Sequence, residues 1–292
     1  MLQPASLEAP LSTVIPVDQE QHGFVNSVAL TSFFRQLTAI ENHSRSRQIR
    51  IVQYGDSHTK VDLFTGAVRK NFLRDFGGDA ASLVKKTSYR PSSGGSSMSV
   101  YQPMGINGAR AKRLRDMSES ASFLQSLSQS RPDLIVLAYG TNEVTDGDWT
   151  VDSYSRMLVG IMTRLRSAAP NAAILMIGPP DRSVMGSGGW TSVKRMSLLL
   201  EAQRRAAYLG NAALWSEYDA MGGAGSMNEW VGSGLGRFDH VHFTAAGYSR
   251  LARLFYTDLI SLYRGEQPEH SPLVQGLDLR AMRGVPPSVT KP

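Results

Sequence analysis

The sequence predicts an α/β protein, a doubly wound sandwich with helices on both faces of a parallel sheet. Two observations carry this. Short apolar runs at Ile49-Arg50-Ile51-Val52, Leu134 to Leu137 and Ala172 to Ile177 have the length and composition of parallel strands covered on both faces. Between and around them lie segments whose apolar residues recur at helical spacing, and strands that alternate with helices build such sandwiches.

Taken in chain order, Val28, Phe33, Phe34, Leu37 and Ile40 mark a first helix, and Ile49 to Val52 a strand. The stripe Val61, Phe64, Val68 and Phe72 starts just after Ser57, which places that serine at a strand-to-helix junction. Leu134 to Leu137 is the next strand. Tyr154, Met157, Leu158, Ile161, Met162 and Leu165 form a helix after it, and Ala172 to Ile177 is a further strand. Residues 192–208 and the stripe Leu251, Leu254, Phe255 and Leu259 supply the last helices. Residues 1–24 are polar and irregular, and residues 265–292 carry Pro268, Pro272, Pro286 and Pro287 without a period, so one domain is expected over residues 25–264. Two segments depart from the alternation: residues 87–108 are rich in Ser and Gly, and residues 221–236 hold six glycines. Both abut candidate site residues and are expected to wall the site.

Composition narrows the function classes. The chain has 292 residues, no cysteine and a formal net charge of +6. Without cysteine there is no disulfide framework, thiolate metal site or cysteine nucleophile. No run approaches eighteen apolar residues, and Met1 to Glu8 has neither a basic start nor an apolar core, so neither a membrane span nor a secretory leader is expected. The positive excess lies at Arg110 to Arg115, at Arg204-Arg205 and in the C-terminal tail, with no aromatic residues interleaved. That pattern is expected of solvated helix faces rather than a nucleic-acid site, and it is compatible with an acidic polysaccharide.

The chemistry is carried by Gly55-Asp56-Ser57-His58 after the first strand and by Asp239-His240-Val241-His242 far downstream. A hydroxyl is a weak nucleophile until an imidazole takes its proton, and the imidazole needs a carboxylate to fix its tautomer. Ser57, Asp239 and His242 form a candidate triad. By spacing alone His240 is a rival base, as is His58, whose side chain is expected to project away from Ser57. Between these blocks stand Gly105-Ile106-Asn107-Gly108-Ala109 and Gly140-Thr141-Asn142-Glu143. A backbone N–H in a glycine turn and an asparagine amide are neutral dipoles suited to a developing oxyanion. Asn142 has a second reading as the cap of a following helix. Asp56 is expected to anchor its turn through backbone N–H bonds. A zinc set of Asp56, His58, Asp239 and His242 is formally possible but gives the oxyanion pair no purpose. Tyr101 and Trp230 lie in the glycine-rich segments and are candidate sugar platforms or, equally, aromatic pins for those loops.

Ser, Gly, Asn and His blocks in this order resemble the SGNH superfamily of GDSL-type esterases and lipases, over roughly residues 50–260. The resemblance implies a three-layer α/β/α sandwich with a flavodoxin-like parallel sheet. It implies Ser57 as nucleophile, His242 as base and Asp239 as the acid orienting it. The Ser57 N–H, the Gly108 N–H and the Asn142 amide become the oxyanion donors, with no metal and no cofactor. Gly55-Asp56-Ser57-His58, Gly140-Thr141-Asn142-Glu143, Ala220-Met221-Gly222-Gly223 with Trp230, and Asp239-His240-Val241-His242-Phe243-Thr244 are similar to bacterial polysaccharide and peptidoglycan O-acetylesterases. Two features depart from the usual pattern. Glu143 stands where Asp is commoner, and the roughly fifty residues from Ser57 to Gly108 leave no room for the β-rich insert that peptidoglycan-acting relatives can carry. The implied function is removal of O-acetyl groups from an acetylated carbohydrate, in the periplasm or outside the cell. An O-acetyltransferase with the same triad, or a non-catalytic carbohydrate-binding protein on the same fold, is the alternative.

Overall fold

A computed structural model describes residues 23–45, 47–76 and 101–265. The strands are β1 (Phe24–Val25), β2 (Ile51–Gly55), β3 (Tyr101–Gly105), β4 (Leu134–Ala138), β5 (Ala173–Gly178), β6 (Ser183–Gly186), β7 (Gly189–Ser192) and β8 (Ala213–Ser216). The helices are α1 (Thr31–Glu41), α2 (Ser57–Lys60), α3 (Leu63–Phe76), α4 (Ala111–Ser118), α5 (Ala121–Ser130), α6 (Val151–Ala168), α7 (Met196–Leu209), α8 (Glu217–Met221), α9 (Ser226–Gly232) and α10 (Ala245–Arg264).

Six strands form the main sheet in the order β1-β8-β5-β4-β2-β3, parallel throughout except where β1 runs against β8. Counted along the chain, the parallel strands lie in the order 2-1-3-4-5, the flavodoxin-like arrangement. Strand order reverses at β2, whose neighbours are β3 on one side and β4 on the other. Open α/β sheets bind ligands at such a reversal, outside the carboxyl ends of the strands.

Side-chain alternation along the strands feeds both layers. Ile51, Leu134, Val136, Leu175 and Ile177 face a core shared with Phe33 of α1, Phe64, Val68 and Phe72 of α3, and Leu251, Phe255 and Leu259 of α10. Val52, Tyr54, Ile135, Leu137, Ile174 and Met176 face Leu114 of α4, Leu127 of α5, Leu158 and Ile161 of α6, and Leu199 of α7. Burial on both faces explains the near-continuous apolar runs in the sequence. Each large aliphatic side chain so buried contributes about 1.5–3 kcal/mol. The α6 stripe is fixed at its start by a capping box, in which Thr150 and Ser153 satisfy each other's backbone N–H.

The structure adds elements that the sequence did not announce. Phe24 and Val25 pair with Trp215 and Leu214, and Phe24 is wholly buried beside Phe255. A two-residue strand is too short to carry a period. The hairpin β6–β7 occupies residues 183–192, ahead of α7. Residues 221–236 are more than a connector, because they contain α9. Of the Ser/Gly-rich stretch 87–108, residues 87–100 lie outside the described residues, as do residues 1–22 and 266–292. Among the described residues no helix is long and apolar enough to cross a membrane.

Candidate active site

Ser57 is set by the ends of β2 and β3. Gly55 pairs in register with Gly105 on one side and Ala138 on the other. A Cβ on Gly105 would come within 2.2 Å of the Lys60 nitrogen, so only glycine lets α2 fold directly over the strand ends. Asp56 caps α2, accepting the His58 N–H at 2.9 Å. Ser57 is the first residue of that helix, where a backbone N–H has no acceptor within the helix and points outward. Burial pushes the Asp56 carboxyl up to about 6, opposed by the His58 N–H and the Thr141 side chain. The turn-anchoring role expected of Asp56 is what its hydrogen bond performs.

His242 approaches from the opposite wall. Its Nε2 lies 2.9 Å from Ser57 Oγ, and its Nδ1 lies 2.8 Å from Asp239 Oδ2. The carboxylate fixes the tautomer: Nδ1 carries the proton and donates to Asp239, leaving Nε2 to accept from the serine hydroxyl. Asp239 Oδ1 also accepts the Val241 N–H at 3.0 Å and the His242 N–H at 2.9 Å. Burial works to raise the Asp239 carboxyl, but these N–H groups and the His242 ring outweigh it and hold it below the usual carboxylate range. The loop is closed by Arg237 N–H to His242 O at 2.8 Å, and Thr244 then caps α10 by accepting the Gly247 N–H at 3.2 Å.

His240 points elsewhere, which resolves the rivalry between the two histidines geometrically. Its backbone is left-handed (φ 53°), its Nδ1 meets Asn228 Oδ1 at 2.8 Å, and its ring stacks on Trp190 with centroids 3.8 Å apart. A left-handed non-glycine residue costs about 1–3 kcal/mol, which these contacts offset. Ser183 N–H to His240 O at 3.1 Å ties the β6–β7 hairpin to the same loop.

The oxyanion blocks lie beside Ser57 on the same sheet edge. Gly108 sits exposed in the turn after β3 with φ 68°, a conformation that favours glycine. Asn142 stands at the start of the short 3-10 turn Glu143–Thr145, yet its side chain makes no capping bond. Its Nδ2 instead donates to Ala109 O at 3.0 Å, which ties the β4 loop to the Gly108 turn. The alternative cap role is therefore not what the side chain performs. Glu143 completes the tie: Oε1 accepts the Ala111 N–H at 2.6 Å and Oε2 the Gly140 N–H at 3.1 Å. Burial pushes Glu143 up to about 7. The longer Glu in place of Asp thus still anchors this loop.

Two expected substrate contacts are corrected. Tyr101 opens β3 in register with Ile51, is 1% exposed, and donates its hydroxyl to Gln53 Oε1 at 2.5 Å. Trp230 on α9 is 5% exposed, donates Nε1 to Met221 O at 3.2 Å and packs edge-on against Phe243. Neither ring offers a free face to a sugar. Both are aromatic pins, because each hydroxyl or indole N–H finds its partner inside the protein. Phe238, beside Asp239, is 90% exposed.

Other residues at this edge went unread in the sequence. Asp181 and Arg182 follow β5 as Ser57 follows β2 and Asn142 follows β4. Asp181 Oδ2 accepts the Met227 N–H at 3.0 Å, and Arg182 Nη1 donates to Thr141 O at 2.6 Å. The position of a charged pair just past a buried strand was the available signal. His58, expected to project away from Ser57, lies against the ring of His242. Among the described residues no three His, Asp or Glu side chains are placed to hold a metal ion. Of the formal zinc set, His242 has both ring nitrogens in hydrogen bonds.

The sequence profile of the GDSL-like lipase/acylhydrolase family matches residues 54–250. Among solved structures, a peptidoglycan O-acetylesterase superposes with a TM-score of 0.69 at 22% identity, covering 82% of this chain and 99% of that one. An acetyl xylan esterase superposes with a TM-score of 0.50 at 16% identity, covering 71% of this chain and 98% of that one. At these identities the likeness is one of fold. Among curated proteins none matches the sequence.

Proposed function

Since the chain belongs to the GDSL-like lipase/acylhydrolase family, an esterase family, we propose that it removes O-acetyl groups from a bacterial polysaccharide or peptidoglycan through an acetyl-enzyme. The unbroken chain from Ser57 Oγ to His242 to Asp239, at 2.9 Å and 2.8 Å, carries this reading. Ser57 Oγ attacks the acetyl carbonyl while its proton passes to His242 Nε2. Asp239 stabilises the imidazolium, and the oxyanion sits among the N–H groups of Ser57 and Gly108 and the Asn142 amide. His242 then gives its proton to the departing sugar oxygen, and the carbonyl re-forms as the acetyl-serine. Water, deprotonated by the same imidazole, attacks that ester and releases acetate and free Ser57.

A large alcohol is supported by shape. Among the described residues, a cavity of about 20 Å³ lies behind the serine's turn, lined by Asp56, His58, Thr59, Glu217 and Tyr248 among others. That is room for about one water molecule. The His242 and Asp239 side chains, by contrast, are 32% and 47% exposed, an open edge that a polymer can cross.

The test is mass detection of acetate released from a panel of acetylated glycans, with acetate and long-chain chromogenic esters alongside. Acetate esters are expected to turn over and Ser57→Ala to abolish the reaction. Preference for long-chain esters, or turnover that survives Ser57→Ala, would sink the proposal.

A further inference from the structure

The ring of His58, stacked against His242, has no task in the chemistry above. We propose that His58 is a positioning residue, a platform on which the His242 imidazole rests while Ser57 gives up and recovers its proton. The inference rests on the reading of Ser57 and His242 as nucleophile and base.

The two imidazoles stack with centroids 5.0 Å apart and planes 28° from parallel. His58 is itself held from several sides. Its N–H is bound to Asp56 Oδ1, its Nδ1 lies 3.0 Å from the Tyr248 hydroxyl, and the rings of Phe243 and Tyr248 stand 5.6 Å and 5.9 Å away. Phe243 follows His242 directly, and Tyr248 lies in the first turns of α10. His58 therefore joins the serine's turn to the loop that carries the base. Without it, the side chain of His242 is restrained in the plane of its ring by Asp239 and Ser57 but loses the support of this face.

The Tyr248 hydroxyl and His58 Nδ1 share one hydrogen bond, in which either can be the donor. His58 Nε2 is buried without a protein partner, as is Asp56 Oδ2. Both residues line the cavity of about 20 Å³, which has room for one water to bond them. Burial, and secondarily the charge on His242, push His58 down to about 3, with Asp239 opposing and Arg182 assisting. The platform stays neutral while His242 gains and loses charge, so it presents a ring face to the imidazolium instead of a repelling charge.

Three variants test this with a chromogenic acetate ester, melting temperature, and the downfield proton resonance of the His242–Asp239 hydrogen bond. His58→Ala is expected to lower kcat about tenfold to a hundredfold with little change in KM, since small misplacements of a catalytic group cost that much. The downfield resonance should broaden or shift. His58→Phe, which restores a ring, should recover most of the lost kcat. Tyr248→Phe, which keeps its own ring in the core, should lower kcat less and shift the same resonance. A folded His58→Ala with unchanged kcat and resonance overturns the inference, and so does His58→Phe no better than alanine. If His58→Ala fails to fold, Tyr248→Phe decides: a lowered kcat with a shifted resonance supports the role, and an unchanged one refutes it. Turnover surviving Ser57→Ala would instead break the parent reading, so the two failures are told apart.

Discussion

Ser57 and Asn142 stand beyond the ends of two neighbouring strands locked in register, Gly55 opposite Ala138, whereas Asp239 and His242 stand in a loop with no place in the main sheet. The strand side is buried and braced within itself: Asp56 is 2% and Glu143 3% exposed, and their carboxylates bind backbone N–H groups of adjoining turns. The loop side is half-exposed and braced from outside, by Trp190 and Asn228 on His240 and by Ser183 on the same backbone. A nucleophile needs a fixed address, which a sheet edge gives without other help. The loop of the proposed base is instead placed by contacts gathered from the β6–β7 hairpin, from Asn228 of α9 and from His58.

The largest effect should come from the loop side. Asp239→Asn is expected to leave the fold intact and cut turnover about ten-thousandfold, the loss seen when a serine protease acid is so changed, because the amide stabilises neither the tautomer nor the imidazolium. Near-normal kcat in that variant would make Asp239 a loop brace, through its bonds to the Val241 and His242 N–H groups, with His242 and Ser57 working as a pair.

On the strand side, Asn142→Ala is expected to lower kcat about a hundredfold to a thousandfold, roughly 3–4 kcal/mol of transition-state stabilisation. It also frees Ala109 O, so about 1 kcal/mol of stability should go with it, a fall of about 2–4 °C in melting temperature. Measured together on one preparation, an unchanged kcat with only the thermal loss would reduce Asn142 to a tie between two turns.

The smallest effect concerns the buried carboxylates under Ser57. Burial pushes Glu217 up to about 8, with Asp56 adding to it, so the native state retains a proton that the unfolded chain releases from about pH 4.5 upward. The resulting stability is present below that range and is lost as pH rises through about 8. Wild-type melting temperature should therefore fall between about pH 5 and pH 8. In Glu217→Gln, which stays neutral, most of that fall should vanish, leaving the variant higher at pH 8 by on the order of 5 °C. Equal slopes in the two proteins would show that Glu217 is not the group responsible. Any slope that remains belongs to the other raised carboxylates, Asp56 and Asp258 at about 6 and Glu143 at about 7.

How much of this was legible in the chain follows the same division. The apolar runs at β2, β4 and β5 and the stripes of α3, α6 and α10 are local signals, each carried by the period of one element. They fix an α/β sandwich and put Ser57 at a strand-to-helix junction. The 2-1-3-4-5 order had only the family resemblance to announce it, because strand order depends on which edges pair, and no single strand records its neighbour.

Sequence by itself determined the kinds of side chain the site would hold, since the functional group of each Ser, Gly, Asn, Asp and His is fixed by the residue type. Tertiary structure decided what each is free to do. Tyr101 and Trp230 have the right chemistry for a sugar platform, but their partners Gln53 and Met221 lie 48 and 9 residues away and draw both rings into the core. His240 and His242 stand two residues apart in one loop, and tertiary contacts separate them: Trp190 and Asn228 hold the first, Ser57 and Asp239 the second. His58 gained its place against His242, far along the sequence, through packing that no local pattern encodes. Hydrogen-bond satisfaction and burial are properties of the whole fold, and a motif states only what is available to them.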